Sequence, residues 1–214
     1  MAGNLGLNSR LHASADKPVK MYYSDFDENG TSEQMLTYYL QDKELPFYNK
    51  SEMDRQMPEM RKRFLYAKDF ATASLDEIIA GKKLKAAKMY TADYFASALL
   101  VNKGDMRFDM QALPWELQVS SLRDGVVTDA NNDSLPDVFL VGNYYENNIE
   151  MGRYDADFGS LLLNNGRGGF TYSMPEGAAI KGQPRRVRKI KIGGRDAFII
   201  GRNNDNSMVI RFEK

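Results

Sequence analysis

Two short stretches rich in oxygen-bearing side chains carry the clearest chemical signal in this sequence. In DANNDSLPD, residues 129–137, such side chains stand at the first, third, fifth and ninth positions, and DFDENGTSE, residues 25–33, has the same spacing. Alternate side chains of a tight loop can point at one ion, and a hard cation such as Ca²⁺ takes six to eight oxygen ligands. The spacing therefore predicts two cation-binding loops.

Each loop is expected to supply four side chains and, at its seventh position, one backbone carbonyl. The predicted ligands are Asp25, Asp27, Asn29, Thr31 and Glu33 in the first loop, and Asp129, Asn131, Asp133, Leu135 and Asp137 in the second. Gly30 suits the sharp turn at the sixth position, where the second loop has Ser134. The simpler alternative is that Asp, Asn and Gly cluster here only as turn formers.

An EF-hand is the obvious competing interpretation of these loops. It requires a bidentate Glu at loop position 12 and a helix after the loop. Leu36 and Leu140 occupy those positions, and strand-forming residues follow, so the sequence excludes an EF-hand. We expect structural sites, in which Ca²⁺ bound at roughly 10⁻⁴–10⁻³ M neutralises carboxylates that repel one another.

The overall composition excludes several classes of function. The chain has 214 residues, with 29 basic and 29 acidic side chains, so its overall field favours neither nucleic acid nor a membrane surface. It has no cysteine, which excludes disulfides and thiol chemistry, and His12 alone cannot form a site that needs two imidazoles. No apolar run approaches the ~20 residues needed to span a bilayer, and no signal-peptide pattern is present.

Two hairpin-like segments suggest an internal repeat. SALLVNKGDMRF, from Ser97, is echoed by SLLLNNGRGGF, residues 160–170. The alignment pairs residues 99–102 with 161–164 and Phe108 with Phe170, and an acidic loop precedes each hairpin. Each unit thus has the order strand, acidic loop, strand, connection, strand, turn, strand, and repeats of this kind determine architecture.

Four-stranded units in series are typical of propeller blades. The sequence therefore predicts a mainly β fold, a partial β-propeller of about three four-stranded blades with a helical insertion. We expect one domain, 1–214, with a blade at 19–110, a second at 119–172 and a degenerate third at 184–213 that lacks the acidic loop. The chain would be a portion of a larger protein.

The insertion, at about 46–95, has a helical pattern. Ser51 with Asp54, and Ser74 with Glu77, have the spacing of helix starts. A single helix is expected from Pro58 over PEMRKRFLYAKDF, with Met60, Phe64 and Leu65 on its apolar face; the methionines of the block are Met53, Met57 and Met60. The block is either a cap that binds a partner or an insertion packed against a blade.

The two loops, each with a following strand and an LLLNNGRGGF-type hairpin, resemble FG-GAP/VCBS-type repeats, the blades of integrin-α-like β-propellers. GNLGLNS at the start, the helical block, and GRYDADFG at 152–159 are similar to the carboxy-terminal part of large FG-GAP-like proteins exported by Bacteroidetes-type bacteria. The resemblance implies Ca²⁺ at the blade edges and an extracellular or cell-surface location. It also implies a non-enzymatic role in binding or adhesion, with an unknown protein or glycan ligand, and further blades from the parent protein or an oligomer. Ser134 and the missing third loop depart from the pattern.

Two other functions remain open on the sequence alone. Glu150, Asp155 and Asp157 could form the paired carboxylates of a glycan-active surface enzyme, with Tyr154 nearby, although a long loop with ordinary turn residues would look the same. A purely structural domain of a larger exported protein is the third possibility. The basic run at 181–195 could bind acidic glycans or form a solvated strand face, and Trp115 could stack on a sugar or lie in a core or an interface.

Overall fold

The computed structural model describes residues 1–177 and 179–212, with the side chain of Glu150 outside that description. The fold is mainly β, with 39% of residues in strands and 15% in helices. Its four sheets are antiparallel, and none of them closes on itself within the described ranges. The chain packs as two units, Leu11–Phe95 and Met1–Arg10 with Ala96–Lys214.

The Leu11–Phe95 unit contains a four-stranded antiparallel sheet. Its strands are β1 (Val19–Ser24), β2 (Glu33–Leu40), β3 (Lys43–Pro46) and β4 (Lys88–Ala92), in the order β3-β2-β1-β4. Side chains of a strand alternate between its two faces, and on β2 the buried face carries Glu33, Met35 and Thr37. The last residue of the first acidic loop is therefore also the first inward-facing residue of β2.

Five short helices lie between β3 and β4. They are α1 (Lys50–Gln56), α2 (Met60–Arg63), α3 (Ala67–Thr72), α4 (Leu75–Ile78) and α5 (Gly81–Ala86). The predicted start at Ser74 is confirmed, because Ser74 and Glu77 form a reciprocal capping box before α4. The helix start predicted at Ser51 with Asp54 lies two residues earlier, because Asn49 and Glu52 form the capping box and the first helix begins at Lys50.

The single helix predicted from Pro58 is wrong. Helix α2 ends at Arg63, and Phe64 is extended. The Phe64 ring packs edge-on against Phe70, with centroids 5.6 Å apart, while Leu65 is 76% exposed. The chain leaves the helix because Phe64 turns into the core and a new helix then begins at Ala67.

The core of this unit is rich in methionine. Met53, Met57 and Met60 of the helical block are buried with Met35 of β2 and Ile78 of α4. The flexible thioether side chain fills irregular gaps between short helices and a sheet. The helical block is thus packed against the sheet of its own unit.

The described residues of the other unit form three sheets. The first is a two-stranded sheet of β5 (Ala98–Gly104) and β6 (Arg107–Ala112). The second has the strand order β10-β9-β8-β7, with β7 (Leu122–Thr128), β8 (Asp137–Gly142), β9 (Ser160–Asn164) and β10 (Phe170–Ser173). The third has the order β11-β12-β13, with β11 (Pro184–Ile192), β12 (Arg195–Arg202) and β13 (Met208–Ile210). Short 3-10 helices span Trp115–Leu117 and Ile149–Met151.

Hydrophobic clusters pack on both faces of the β7–β10 sheet. Phe139 packs on one side with Phe198 and Phe212, which come from the third sheet and the residues after it. On the other side, Leu140 joins a leucine cluster against which Leu99 of β5 packs. Adjacent residues of one strand point to opposite faces, so β8 contributes side chains to the hydrophobic clusters on both sides of the sheet.

The β7–β10 sheet has the strand order expected for a repeat unit, with the acidic loop between its first two strands. The unit expected at 19–110 is built differently, because β5 and β6 do not join β1 and β2. Instead β4 returns along β1 after the helical block, with Tyr22 opposite Met89, and β3 pairs with β2. The third sheet has three strands in the described residues. The third blade was predicted to end at 213, and Glu213 lies outside the described residues.

Among the residues that the structure describes, no helix is both long enough and apolar enough to cross a membrane.

Candidate metal centres

The first acidic loop joins β1 to β2 and is closed by its own side chains. The two Asp25 carboxylate oxygens accept the N–H groups of Asn29, at 3.0 Å, and Gly30, at 2.8 Å. Asp27 accepts the Asn29 N–H at 3.3 Å, and the side chain of Asn29 accepts the Thr31 N–H at 2.7 Å. The loop therefore winds around the side chains at its first, third and fifth positions.

The second loop joins β7 to β8 and repeats these bonds position by position. Asp129 accepts the N–H groups of Asp133, at 3.1 Å, and Ser134, at 3.0 Å. Asn131 also accepts the Asp133 N–H, at 3.1 Å, and Asp133 accepts the Leu135 N–H at 2.8 Å. The identical spacing seen in the sequence thus produces an identical hydrogen-bond frame.

The ninth residue of each loop closes the frame from the following strand. Glu33 opens β2 and accepts the Phe26 N–H at 2.7 Å; Asp137 opens β8 and accepts the Ala130 N–H at 2.9 Å. Both carboxylates are buried, although Glu has one methylene more than Asp. Each therefore turns back over the second residue of its loop. Glu33 lies beside the carboxylates at the first and third positions, and Asp137 lies beside those at the first and fifth positions.

The backbone conformation matches as well. The fourth residues, Glu28 and Asn132, have φ of 61° and 62°, and the sixth, Gly30 and Ser134, have φ of 89° and 67°. The left-handed region costs about 1–2 kcal/mol for a residue with a Cβ. The second loop thus adopts the same strained turn with Ser134 in the position that glycine occupies in the first.

Each loop brings three carboxylates together. The groups are Asp25, Asp27 and Glu33 in the first loop and Asp129, Asp133 and Asp137 in the second, and within each group one oxygen per residue lies within 4.8 Å of the others. Two oxygens bound to one Ca²⁺ at 2.3–2.6 Å can be at most about 5 Å apart. Both groups therefore fit the coordination sphere of one cation, without being specific for calcium.

The electrostatics of the first loop favour a cation. Burial raises the pKa of the Glu33 carboxyl above its ordinary value, against the hydrogen bond from the Phe26 N–H. The negative charges of Asp27 and Asp25 raise that pKa further. A bound cation would reverse both effects, because it replaces lost solvation and neutralises the neighbouring charges.

The remaining predicted ligands take part in the frame in other ways. The side-chain oxygens of Asn29 and Asn131 accept backbone N–H groups, and the Asn131 amide donates to Asp133 at 2.8 Å. Thr31 and Leu135 each donate their N–H to the side chain two residues earlier. That their carbonyls also bind a metal stays a prediction.

Sequence reasoning missed Asn143, which organises the connection after β8. This buried residue has a φ of 92°. Its amide donates to the carbonyls of Asp157, at 2.8 Å, and Gly182, at 2.9 Å. Its oxygen accepts the Asp157 N–H at 3.0 Å and the Ser120 hydroxyl at 2.8 Å. The only signal in the sequence was an Asn, which tolerates positive φ, directly after the end of a strand.

The carboxylates considered for catalysis have unlike surroundings. Asp155 is exposed, whereas Asp157 is buried and accepts the Ser160 hydroxyl at 2.8 Å. Burial raises the pKa of the Asp157 carboxyl, against the hydrogen bond from the Ser160 hydroxyl and the nearby Gly142 and Gly159 N–H groups, which lower it. The Glu150 side chain lies outside the described part of the chain, so the paired-carboxylate hypothesis stays untested.

The basic run at 181–195 is largely paired with acids. Arg188 bonds Asp124 at 2.7 Å, and Lys189 bonds Asp196 at 2.7 Å. Arg185 forms an ion pair with Glu146. These contacts favour the interpretation of the run as the solvated face of a strand. Trp115 is 72% exposed and so does not belong to a core.

Comparisons of this chain with protein-family models, with curated protein sequences and with solved structures find no match. The resemblance to FG-GAP/VCBS repeats therefore rests on the loops and hairpins of the sequence and stays a prediction. What the structure defines is a mainly β protein with two acidic loops of equivalent backbone geometry, each leading into a strand whose first residue is a buried carboxylate.

Proposed function

We propose that this chain is a non-enzymatic β-sheet module in which each acidic loop binds one Ca²⁺. The observation that carries the proposal is the shared frame of the two loops. Five hydrogen bonds join equivalent positions, from Asp25 to Glu33 in one loop and from Asp129 to Asp137 in the other. Turn formation alone requires neither two loops of one geometry nor three convergent carboxylates in each.

The role of the cation is structural. Each loop connects two neighbouring strands of a four-stranded sheet, and its carboxylates crowd together beside a buried position. A divalent cation removes their mutual repulsion and adds bonds that exist only in the folded state. Binding to the folded state alone stabilises it by about 1.4 kcal/mol per site at ten times the dissociation constant.

We further propose that the sheets are blades of a partial β-propeller of the FG-GAP/VCBS type, in a protein that acts in binding or adhesion outside the cell or at its surface. The strand order β10-β9-β8-β7 supports this, because consecutive antiparallel strands build a blade. The equal hairpins support it too: Asn102 lies opposite Phe108 as Asn164 lies opposite Phe170. The ligand would be a protein or a glycan.

The cation claim is tested by melting curves of the full chain after removal of metal. The protein is unfolded in chelator, in magnesium, and in calcium at about 5 mM, above the expected dissociation constant of roughly 10⁻⁴–10⁻³ M. We expect calcium to raise the melting temperature by several degrees, and magnesium to do so less because it demands stricter octahedral geometry. Identical curves in calcium and chelator would overturn the proposal.

The binding role needs a separate experiment. Immobilised glycans and extracellular-matrix proteins are screened with the full chain in calcium and again in chelator. Binding that is lost in chelator is expected, because the loops would no longer hold their strands. If the calcium-loaded chain binds nothing in either screen, a purely structural role replaces the binding role, while the melting result still stands.

A further inference from the structure

The hairpins β5–β6 and β9–β10 are equivalent in register. Leu100 lies opposite Met110 as Leu162 lies opposite Tyr172, and the Asn–Phe pairs at the turn correspond in the same way. At each turn the Asn side chain accepts the N–H two residues on, from Gly104 at 2.8 Å and from Gly166 at 2.9 Å. The two hairpins thus have the same register along their strands, although β5 has a register shift between Asn102 and Gly104 that the β9–β10 pair lacks.

Their surroundings differ. Strand β8 pairs with β9, placing Val138 opposite Leu162, and Leu162 is 0% exposed. The equivalent residue of the other hairpin, Leu100, is 43% exposed, and its cross-strand neighbour Met110 is exposed as well. The β5–β6 hairpin therefore presents an apolar face of the kind that its counterpart buries.

The outer edge of β5 is open. In the described part of the chain, β5 pairs with β6 and, at Ala98 only, with Ala2. The Ala2 and Ala98 backbones exchange two hydrogen bonds, of 2.8 and 2.9 Å, so the Ala98 N–H and C=O point away from β6. Backbone groups alternate along a strand, and the N–H and C=O groups of Leu100 and Asn102 therefore point to the same open edge.

A groove of about 520 Å³ runs beside this edge. Its floor is one face of β7 and β8, with Gly125, Val127, Val138 and Leu140, and Val127 is 62% exposed. Leu99 of β5 also lines it. The groove is thus mainly apolar, and residues 1–3 and Leu99 of β5 form part of its lining.

We propose that the β5 edge and this groove form an acceptor site for one extended polypeptide strand, antiparallel to β5. The occupant has apolar side chains at alternate positions and a carboxylate at the position facing Asn102. That chemistry follows from the equivalent sheet, where β8 lies along β9 and the Asp137 carboxylate accepts the Asn164 N–H at 2.8 Å. Strand addition of this kind gains affinity from main-chain hydrogen bonds and specificity from alternate side chains.

The direction and end point of the strand are also defined. Ala2 lies opposite Ala98, just as Leu140 lies opposite Ser160 in the complete sheet. Residues 1–3 line the groove, and Ala2 already occupies the position opposite Ala98, so the added strand would end beside Met1. The inference rests on this register and not on cation binding, so the two proposals can fail separately.

The test is to supply the strand. A second copy of residues 122–138, which includes β7, the acidic loop and the start of β8, is joined directly before Met1 of the full chain. In this register the copied Val138 falls opposite Leu100, and the copied Asp137 faces Asn102. We expect hydrogen exchange at the Leu100 and Asn102 amides to slow by at least about tenfold, because both N–H groups become bonded.

The matched control is Leu100→Pro in the extended chain. Proline removes the N–H that faces the open edge, a place where an edge strand tolerates it. The slowing at Asn102 should then be largely lost, while β5–β6 exchange elsewhere is unchanged. Unchanged exchange in the extended chain, or equal slowing at Asn102 with Leu100→Pro, would overturn the proposal. So would protection that appears only in a dimer of the unextended chain, because the occupant would then be a second copy.

Discussion

The carboxylate of Asp137 accepts the backbone N–H of Asn164 at 2.8 Å, tying the first residue of β8 to the last residue of β9. Its other oxygen accepts the Ala130 N–H of the acidic loop at 2.9 Å. One buried side chain therefore fixes both the loop and the neighbouring strand. A cation that binds this carboxylate would act on the loop and on the register of the sheet together.

Removing that carboxylate should be costly. Asp137→Ala leaves the N–H groups of Ala130 and Asn164 unsatisfied, and hydrogen bonds to charged groups contribute about 1.5–3 kcal/mol each. We expect a loss of about 3 kcal/mol in the free energy of unfolding, measured by urea denaturation. Asp155→Asn, which removes an exposed charge, is the control and should change it by less than about 0.5 kcal/mol. Similar losses in both variants would contradict the assigned role of Asp137.

The sixth loop positions allow a matched exchange. Ser134 has a φ of 67°, and Gly30 has a φ of 89° with no atom within 4 Å of an added Cβ. Ser134→Gly should therefore raise the free energy of unfolding, and Gly30→Ala should lower it, each by about 1 kcal/mol. Thermal melting of both variants in chelator checks this. A change of the same sign in both would show that backbone strain does not control these turns.

Asn143 combines a positive φ with four side-chain hydrogen bonds, and two substitutions separate these features. Asn143→Gly tolerates the positive φ but removes the four side-chain hydrogen bonds. Asn143→Ala removes the same hydrogen bonds and also places a Cβ in the unfavourable left-handed region. We expect Asn143→Gly to cost about 2–3 kcal/mol and Asn143→Ala about 1 kcal/mol more. Urea denaturation measures both, and an alanine variant no less stable than the glycine variant would contradict the assignment.

Asp157 predicts a specific pH dependence. Burial raises the pKa of its carboxyl in the folded state, so folding favours the protonated form. Its contribution is present below the unfolded pKa of about 3.9 and is lost as pH rises through the folded pKa. Asp157→Asn keeps an oxygen for the Ser160 hydroxyl and cannot ionise. Relative to the unaltered protein, the variant should become more stable as pH rises from about 4 to 7, as followed by urea denaturation. If the difference in unfolding free energy between the variant and the unaltered protein does not change with pH, the raised pKa of the buried Asp157 carboxyl is contradicted.

Local spacing was enough to predict the loops and the hairpins. Residues 25–33 and 129–137 fold on their own side chains, so positions one, three, five and nine already define the frame. The sequence match between residues 99–102 and residues 161–164 likewise reflects short-range turn chemistry, since Asn102 and Asn164 each accept a backbone N–H two residues on. Such contacts depend on neighbours within a few residues, which a single sequence displays.

Tertiary contacts determine what the sequence did not show. The return of β4 along β1 joins residues about 70 positions apart, and the helix break at Phe64 depends on the ring of Phe70. The hydrogen bond from the Asn143 amide to the Gly182 carbonyl joins residues 39 positions apart and so depends on the tertiary fold. Periodicity and turn propensity contain no information on these tertiary contacts. The strand composition of the first sheet and the structure of the connection after β8 were therefore not predicted.

The most direct test of the central claim is calcium stoichiometry by calorimetric titration of the metal-free full chain. The unaltered protein should bind two equivalents. Asp25→Asn with Asp27→Asn should leave one, and Asp129→Asn with Asp133→Asn should also leave one, because each loop loses two of its three clustered carboxylates. Circular dichroism in chelator checks that both variants keep their fold. Two equivalents in either folded variant, or no bound calcium in the unaltered protein, would contradict the assignment of one cation to each loop.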